Sequence, residues 1–284
     1  MYNIIVTEPS ANIRTLARQA LAGKWQTAII AVLIYDICIT LPALILDQLF
    51  GKTMQELAHD LYLSSGNYGI FSDAAYSASV GMGVAAEKFS AMSGIYMFLV
   101  TGAFTLGISL FFLNLFRRKA AEPDQVFSGF EQFFKALGLC FMTGLFIFLW
   151  SLLFVIPGII AALRYSQAFY ILADNPQKPI MECIRESKIL MKGNKGKLFC
   201  LMLSFIGWAL LTALVISIIT NMVFRIVGYG IVYTIISWVL DLGMCGVTAY
   251  LITAETAYLI TAETAFYEIL KGNLRAQTYT PGQY

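Results

Sequence analysis

Apolar residues fall in long, nearly unbroken runs separated by short basic stretches. The first run is Thr27–Phe50, TAIIAVLIYDICITLPALILDQLF, and the second is Gly94–Phe116. A third, Ala136–Ile156, runs into Pro157-Gly158, a dipeptide that marks turns. Ile159–Ala173 forms a shorter fourth, Leu198–Asn221 a fifth, and a sixth begins near Val227. A helix needs about 20 apolar residues to cross a hydrocarbon core. The pattern therefore predicts an all-α polytopic membrane protein, a single membrane domain over residues 1–284 with six transmembrane helices in three hairpins.

Between the runs the period changes to that of an amphipathic helix. IRTLARQALAGKW precedes the first run, with Ile13, Leu16, Ala17, Ala20 and Leu21 on one face and Arg14 and Arg18 off it. IMECIRESKILMKGNKGK precedes the fifth, with Ile180, Ile184, Ser187 and Met191 on one face. Aligning Arg18 with Lys188 also brings Leu21 onto Met191 and Gly23 onto Gly193. VFSGFEQFFKALG precedes the third, carrying Phe127, Phe130, Phe133 and Phe134 and then Lys135. Each odd-numbered helix is thus expected to follow an interfacial amphipathic helix. Either a threefold structural repeat or the general character of helices beside a bilayer accounts for that.

A second repeat is identical in both copies, AYLITAET at Ala249–Thr256 and again at Ala257–Thr264. Eight residues turn a helix by about 800°, so the copies sit about 80° apart and share no face. A duplication that lengthens the last helix accounts for this. The sixth run then ends near Ala254, and residues 255–284, with Glu255, Glu263 and Glu268, form a cytoplasmic helical extension and tail.

Charge orients the chain. Fifteen of the 19 Lys and Arg lie before the first run, between the second and third, between the fourth and fifth, or after the sixth. The positive-inside rule puts both termini in the cytoplasm and residues 51–93 on the other side as an extracytoplasmic loop. That loop opens with Met54, Leu57, Ala58 and Leu61, the spacing of a short amphipathic helix. The first run is too long for a signal-peptide core and is expected to stay in the membrane.

Composition agrees. The 284 residues are 58% hydrophobic and 13% charged with a mean hydropathy of +0.72, against roughly 45–50% and about 25% for soluble domains. A soluble enzyme is excluded on that ground, and a net charge of +2 gives no basic face for nucleic acid. Cys38, Cys140, Cys183, Cys200 and Cys245 stand singly, and His59 is the only histidine. Neither a disulfide framework nor a two-histidine zinc site is available, and no cofactor or enzymatic activity is expected.

Asp36, Arg164 and Asp241 fall within or beside the apolar runs. A charge at mid-bilayer costs about 2.5–3.5 kcal/mol and normally faces the bundle interior with a partner. Arg164 has two candidate partners, Asp36 and Asp241. The group serves either as an ion pair that fixes packing or as a polar path for a solute. Arg18, Lys24, Lys135, Lys188, Lys192 and Lys195 are the candidates for anionic headgroups.

FSGFEQFFKALGL, FLWSLLFVIPGIIAALRYSQAFYILADNP, CIRESKILMKGNKGKLFCLMLSFIGW, AFYEIL and ARQALAGKWQTAII together resemble the bacterial integral-membrane family called domain of unknown function 975. That family, mostly Gram-positive, is similar to the membrane domain fused to some glycerophosphodiester phosphodiesterases. The resemblance implies a multi-pass plasma-membrane protein without an assigned activity, and it carries over no catalytic residue. The loop 51–93 and the doubled octad depart from it. The expectation is a non-enzymatic protein that binds anionic membrane lipids, a membrane-protein partner or a second copy of itself through its basic interfacial helices. The alternative is a transporter of a small solute or lipid.

Overall fold

The computed structural model describes residues 4–53, 56, 88–227 and 231–274. The helix expected at the start of the 51–93 loop, together with His59, lies outside these residues. The chain divides into two compact units, Tyr35–Gly102 and Met1–Ile34 with Ala103–Tyr284.

Helix α2 (Trp25–Phe50) and helix α3 (Ala91–Phe116) each have one end in the first of these units, which also holds two-residue strands β1 (Lys52–Thr53) and β2 (Lys88–Phe89). The strands pair antiparallel, Lys52 with Phe89 and Thr53 with Lys88. Asp47, near the end of α2, accepts hydrogen bonds from the Ser90 N–H at 2.7 Å and the Ser93 hydroxyl at 2.6 Å. The carboxylate thus ties the start of α3 to the end of α2. Tyr96 donates its hydroxyl to the Cys38 carbonyl across the pair.

The larger unit is built on the repeat visible in the sequence. Helix α1 (Ser10–Leu21) leads into α2, and helix α7 (Ile180–Leu190) leads into α8 (Lys195–Val227). Pro9 and Pro179 precede them in nearly the same extended conformation, with φ of −65° and −70° and ψ of 148° in both. Proline suits this place because the first helical N–H groups have no acceptor. Ile13 and Cys183, Ala17 and Ser187, and Leu21 and Met191 are buried in pairs, as are Ala28 and Leu198 further on. Gly23 and Gly193 both turn the chain with positive φ, +76° and +87°. A side chain in that region costs about 1–2 kcal/mol, which is why both copies use glycine.

Asn194, just past the second turn, holds the N-terminal segment. Its Oδ1 accepts from the Val6 N–H at 2.8 Å, and its Nδ2 donates to the Ile4 and Leu190 carbonyls at 2.8 Å each. The amide stands in for one link of a neighbouring strand. Lys197 donates to the carbonyls of Thr7 and Glu8 at 3.4 and 3.3 Å.

The third pre-helical segment is a 3-10 helix, Pro123–Gln132, running directly into α4 (Phe133–Leu153). It lies hard against α3. A Cβ on Gly129 would stand 1.9 Å from the Ala103 carbonyl oxygen, and one on Gly107 would stand 2.0 Å from that of Val126. Phe104 meets Phe127 and Phe130 edge to face, with centroids 5.7 and 5.0 Å apart. The aromatic residues expected to face lipid are in part a packing surface for α3.

The turn expected at Pro157-Gly158 comes earlier. Helix α4 ends at Leu153, Phe154 is extended with φ −165° and ψ 157°, and α5 (Val155–Tyr165) begins at once. Pro157 lies in the first turn of α5, where its missing N–H costs nothing. The expected fourth span is interrupted at Ser166-Gln167 before α6 (Ala168–Asp174). The last helix, α9 (Ile231–Leu270), carries both octads without a break. Among the described residues four segments are long and apolar enough to cross a membrane: Trp25–Phe50, Ala91–Phe116, Pro123–Leu153 and Val155–Asp174.

Candidate functional site

Helix α1 packs along the C-terminal half of α9, and the start of α8 closes one side. A pocket of about 540 Å³ opens there, lined by Arg14, Thr15, Arg18, Trp25, Phe205, Leu251, Glu255 and Tyr258 among others. Tyr258 forms its centre. Its ring meets Phe205 edge to face at 5.0 Å and Trp25 at 6.1 Å, while its hydroxyl donates to the Arg14 carbonyl at 3.0 Å. The walls are mostly apolar, and Arg14, Arg18 and Glu255 bring charge to the lining. Neither Arg14 nor Arg18 makes an ion pair among the described residues. Volume and wall chemistry suit part of an amphiphile.

A second polar centre joins the ends of several helices in the same unit. Arg117, just past α3, bonds Asp174 at the end of α6 (2.7 Å) and Glu268 near the end of α9 (2.6 Å). Lys271 bonds Glu186 of α7 at 2.7 Å, and Lys178 bonds the other oxygen of the same carboxylate. The Tyr267 hydroxyl donates to Asp174 at 3.3 Å, and Asn273 donates to Glu268 at 2.8 Å. Burial works to raise the Glu186 carboxyl, but hydrogen bonds and charge from Lys178 and Lys271 outweigh it and hold it below the usual glutamate range. Three cations balance three carboxylates, and each carboxylate is satisfied. The arrangement fastens helix ends, where cations also complement the negative ends of the dipoles. Among the described residues no group of three or more His, Cys, Asp or Glu is placed to hold a metal ion.

In the sequence Arg117, Lys178 and Lys271 act only as orienting charges, and their spacing does not reveal this centre. The one available signal was Glu186, which recurs three residues after Cys183 on a helix whose other buried positions share that spacing.

The predicted residues scatter. Asp36 is half-buried on α2 and Arg164 half-buried on α5. Arg164 makes no ion pair among the described residues and lines a smaller pocket of about 260 Å³ with Trp150, Pro157, Ile160 and Ala161. Asp241 falls on α9, and its side chain lies outside those described. Of the six headgroup candidates, Arg18 rims the α1 pocket and Lys24 sits beside the Gly23 turn. Lys192 is exposed and Lys195 half-exposed at the approach to α8. The other two are used internally. Lys135 donates to the Pro176 carbonyl at 2.7 Å, and the Lys188 ammonium lies 5.5 Å from the ring centres of both Phe146 and Tyr165.

Comparison with known proteins gives a family model described as a protein of unknown function, DUF975, matching residues 1–162 and 151–273. No curated protein and no solved structure matches the chain.

Proposed function

The chain belongs to the DUF975 family, and from its own geometry we propose that it is a non-enzymatic membrane protein that binds anionic lipid beside its N-terminal helix. The observation that carries this is the α1 pocket, where Arg14 and Arg18 stand over apolar walls. Acyl chain fills the cavity, and the phosphate lies between the two guanidinium groups, a geometry arginine favours. In this reading α2, α3, α8 and α9 cross a bacterial plasma membrane, with both termini on the basic, cytoplasmic side. The alternative of a polar path lined by Asp36, Arg164 and Asp241 has no comparable observation behind it.

Each basic residue near an anionic surface contributes about 1 kcal/mol, so the pair supplies about 2 kcal/mol, or roughly 30-fold in affinity. The test is native mass spectrometry of protein released from nanodiscs of mixed phosphatidylglycerol and phosphatidylcholine. Wild type should retain phosphatidylglycerol selectively, and Arg14→Gln with Arg18→Gln should lose that preference while remaining folded. Equal retention by both proteins would refute the site.

A further inference from the structure

We propose that helices α4 and α5 do not cross the membrane but enter one leaflet as a re-entrant wedge, with Phe154 at its apex among the acyl-chain ends. The proposal rests on the chain being a membrane protein and is independent of the α1 pocket.

Helix α7 fixes the depth of the wedge. It runs beside the first half of α4. A Cβ on Gly138 would lie 2.6 Å from Ile180 Cδ1, and eight residues further along both helices Lys188 lies over the Phe146 ring. Its far half also meets α5, where the Ser187 hydroxyl donates to the Arg164 carbonyl at 2.9 Å and Lys188 covers Tyr165. Yet α7 carries Glu182, Arg185, Glu186 and Lys188 in eleven residues, and the Arg185 side chain is 74% exposed. Of these, Glu182 and Arg185 are the exposed ones, and placing those two charges in hydrocarbon costs about 5–7 kcal/mol. Helix α7 therefore lies in the interfacial region, and so does what is level with it: α4 from Gly138 to Phe146, and Arg164 on α5.

What lies beyond that level is apolar. From Ile147 to Leu163 no side chain is charged, and the polar groups are the Trp150 indole N–H and Ser151, whose hydroxyl donates to the Ile147 carbonyl of its own helix. Phe154, Val155 and Ile156 are each more than 70% exposed, an apex that water would penalise heavily. Phe146 to Phe154 spans about 12 Å of helix and Arg164 to Phe154 about 15 Å. The hydrocarbon core is about 30 Å thick, so both arms end near its middle.

The apex is built to tolerate this. Unpaired backbone groups are costly in lipid, and the break is a single residue, with the Gly158 N–H still donating to the Phe154 carbonyl at 3.3 Å. Pro157 removes a donor that the first turn could not satisfy. Gly158 lets the arms close, since a Cβ there would stand 2.2 Å from Ser151 Oγ. The partner is thus the acyl-chain region of the leaflet that α7 faces. In place of six crossings the chain makes four, and both termini stay on one side.

The experiment uses the full chain in proteoliposomes, cysteine-free except for Phe154→Cys and, separately, Arg185→Cys. A nitroxide at 154 should relax strongly with oxygen and weakly with a water-soluble nickel chelate. A membrane-impermeant maleimide should label 185 from one face and 154 from neither. If the hairpin crossed, Phe154 would stand about 28 Å from Lys135, at the opposite surface, open to nickel and to maleimide from that face. Nickel access or labelling at 154 from either face overturns the proposal. Quenching of Phe154→Trp by brominated lipids, read as signal added to wild type, gives the answer without removing cysteines. Bromine near the chain ends should quench most, and strongest quenching by bromine near the headgroup would refute a central apex.

Discussion

Replacing Glu186 by glutamine removes a charge that two ammonium groups share. The Glu186 side chain is 4% exposed, and its oxygens accept from Lys178 and from Lys271, the latter at 2.7 Å. Hydrogen bonds to charged groups contribute about 1.5–3 kcal/mol each. Glutamine keeps one carbonyl acceptor, and Lys178 and Lys271, 24% and 15% exposed, recover some hydration. About 3 kcal/mol of the gross interaction should then be lost. At about 2–4 °C per kcal/mol for chains of this size, the melting temperature in mild detergent, followed by tryptophan fluorescence, should fall by about 6–12 °C. Glu182→Gln is the control, because its pair with Arg185 is long at 3.7 Å and exposed; it should change little. The pH profile adds a signed test. The folded Glu186 carboxyl titrates below its unfolded value. Its contribution is therefore complete above about pH 4.3 and fades as pH falls through the folded value. Wild type should lose stability in that acid window more steeply than Glu186→Gln. A Glu186→Gln melting temperature within 2 °C of wild type would refute the clasp.

Arg118 adopts a positive φ of 55°, so Arg118→Gly should raise stability by about 1 kcal/mol, measured by the same melt. Gly129→Ala should be among the most damaging single-methyl changes, because its Cβ would stand 1.9 Å from the Ala103 carbonyl oxygen; yield of monodisperse protein reads this directly. Asn194→Ala should release residues 4–8, seen as faster hydrogen exchange at Val6, whereas Asn194→Asp keeps the acceptor for that N–H and should protect it better. Lys188→Met should cost about 0.5–1 kcal/mol through its two rings, with no change in anionic-lipid retention.

Helices of uniform apolar character were legible because their signal is local. Trp25–Phe50 and Ala91–Phe116 differ from the expected runs by only a few residues. The pre-helical repeat was legible too, since glycine at positions 23 and 193 reports a backbone requirement that the structure meets at both. The depth that we propose for α4 and α5 is not legible. Whether an apolar run crosses depends on what packs beside it, and nothing local to Ala136–Ile156 announces that charged α7 lies along its first half. Nor was the use of each cation. Lys135 and Lys188 share the composition of headgroup ligands, but one finds a carbonyl and the other two rings only through contacts more than 20 residues away in sequence. The salt-bridge centre failed to appear for the same reason, as Arg117 and Glu268 are separated by 151 residues.

The two helical copies of the repeat diverge at the place where the lipid pocket sits. Arg14 and Arg18 of α1 correspond to Ile184 and Lys188 of α7. In α7 the first is an isoleucine 1% exposed in the core, and the second spends its charge on Phe146 and Tyr165. The same amphipathic frame, entered through proline and left through a glycine turn, therefore closes on its own side chains in the second copy. In the first copy two cations remain without a carboxylate among the described residues, and the aromatic groups, Trp25, Phe205 and Tyr258, gather around an open cavity instead of under an ammonium. An apolar tail between those rings would fill the cavity, and its phosphate would meet Arg14 and Arg18. Arg14→Ile should therefore begin to close the α1 pocket as Ile184 does in α7, lowering lipid retention while holding or raising the melting temperature. A variant that lost both together would show instead that Arg14 serves the fold.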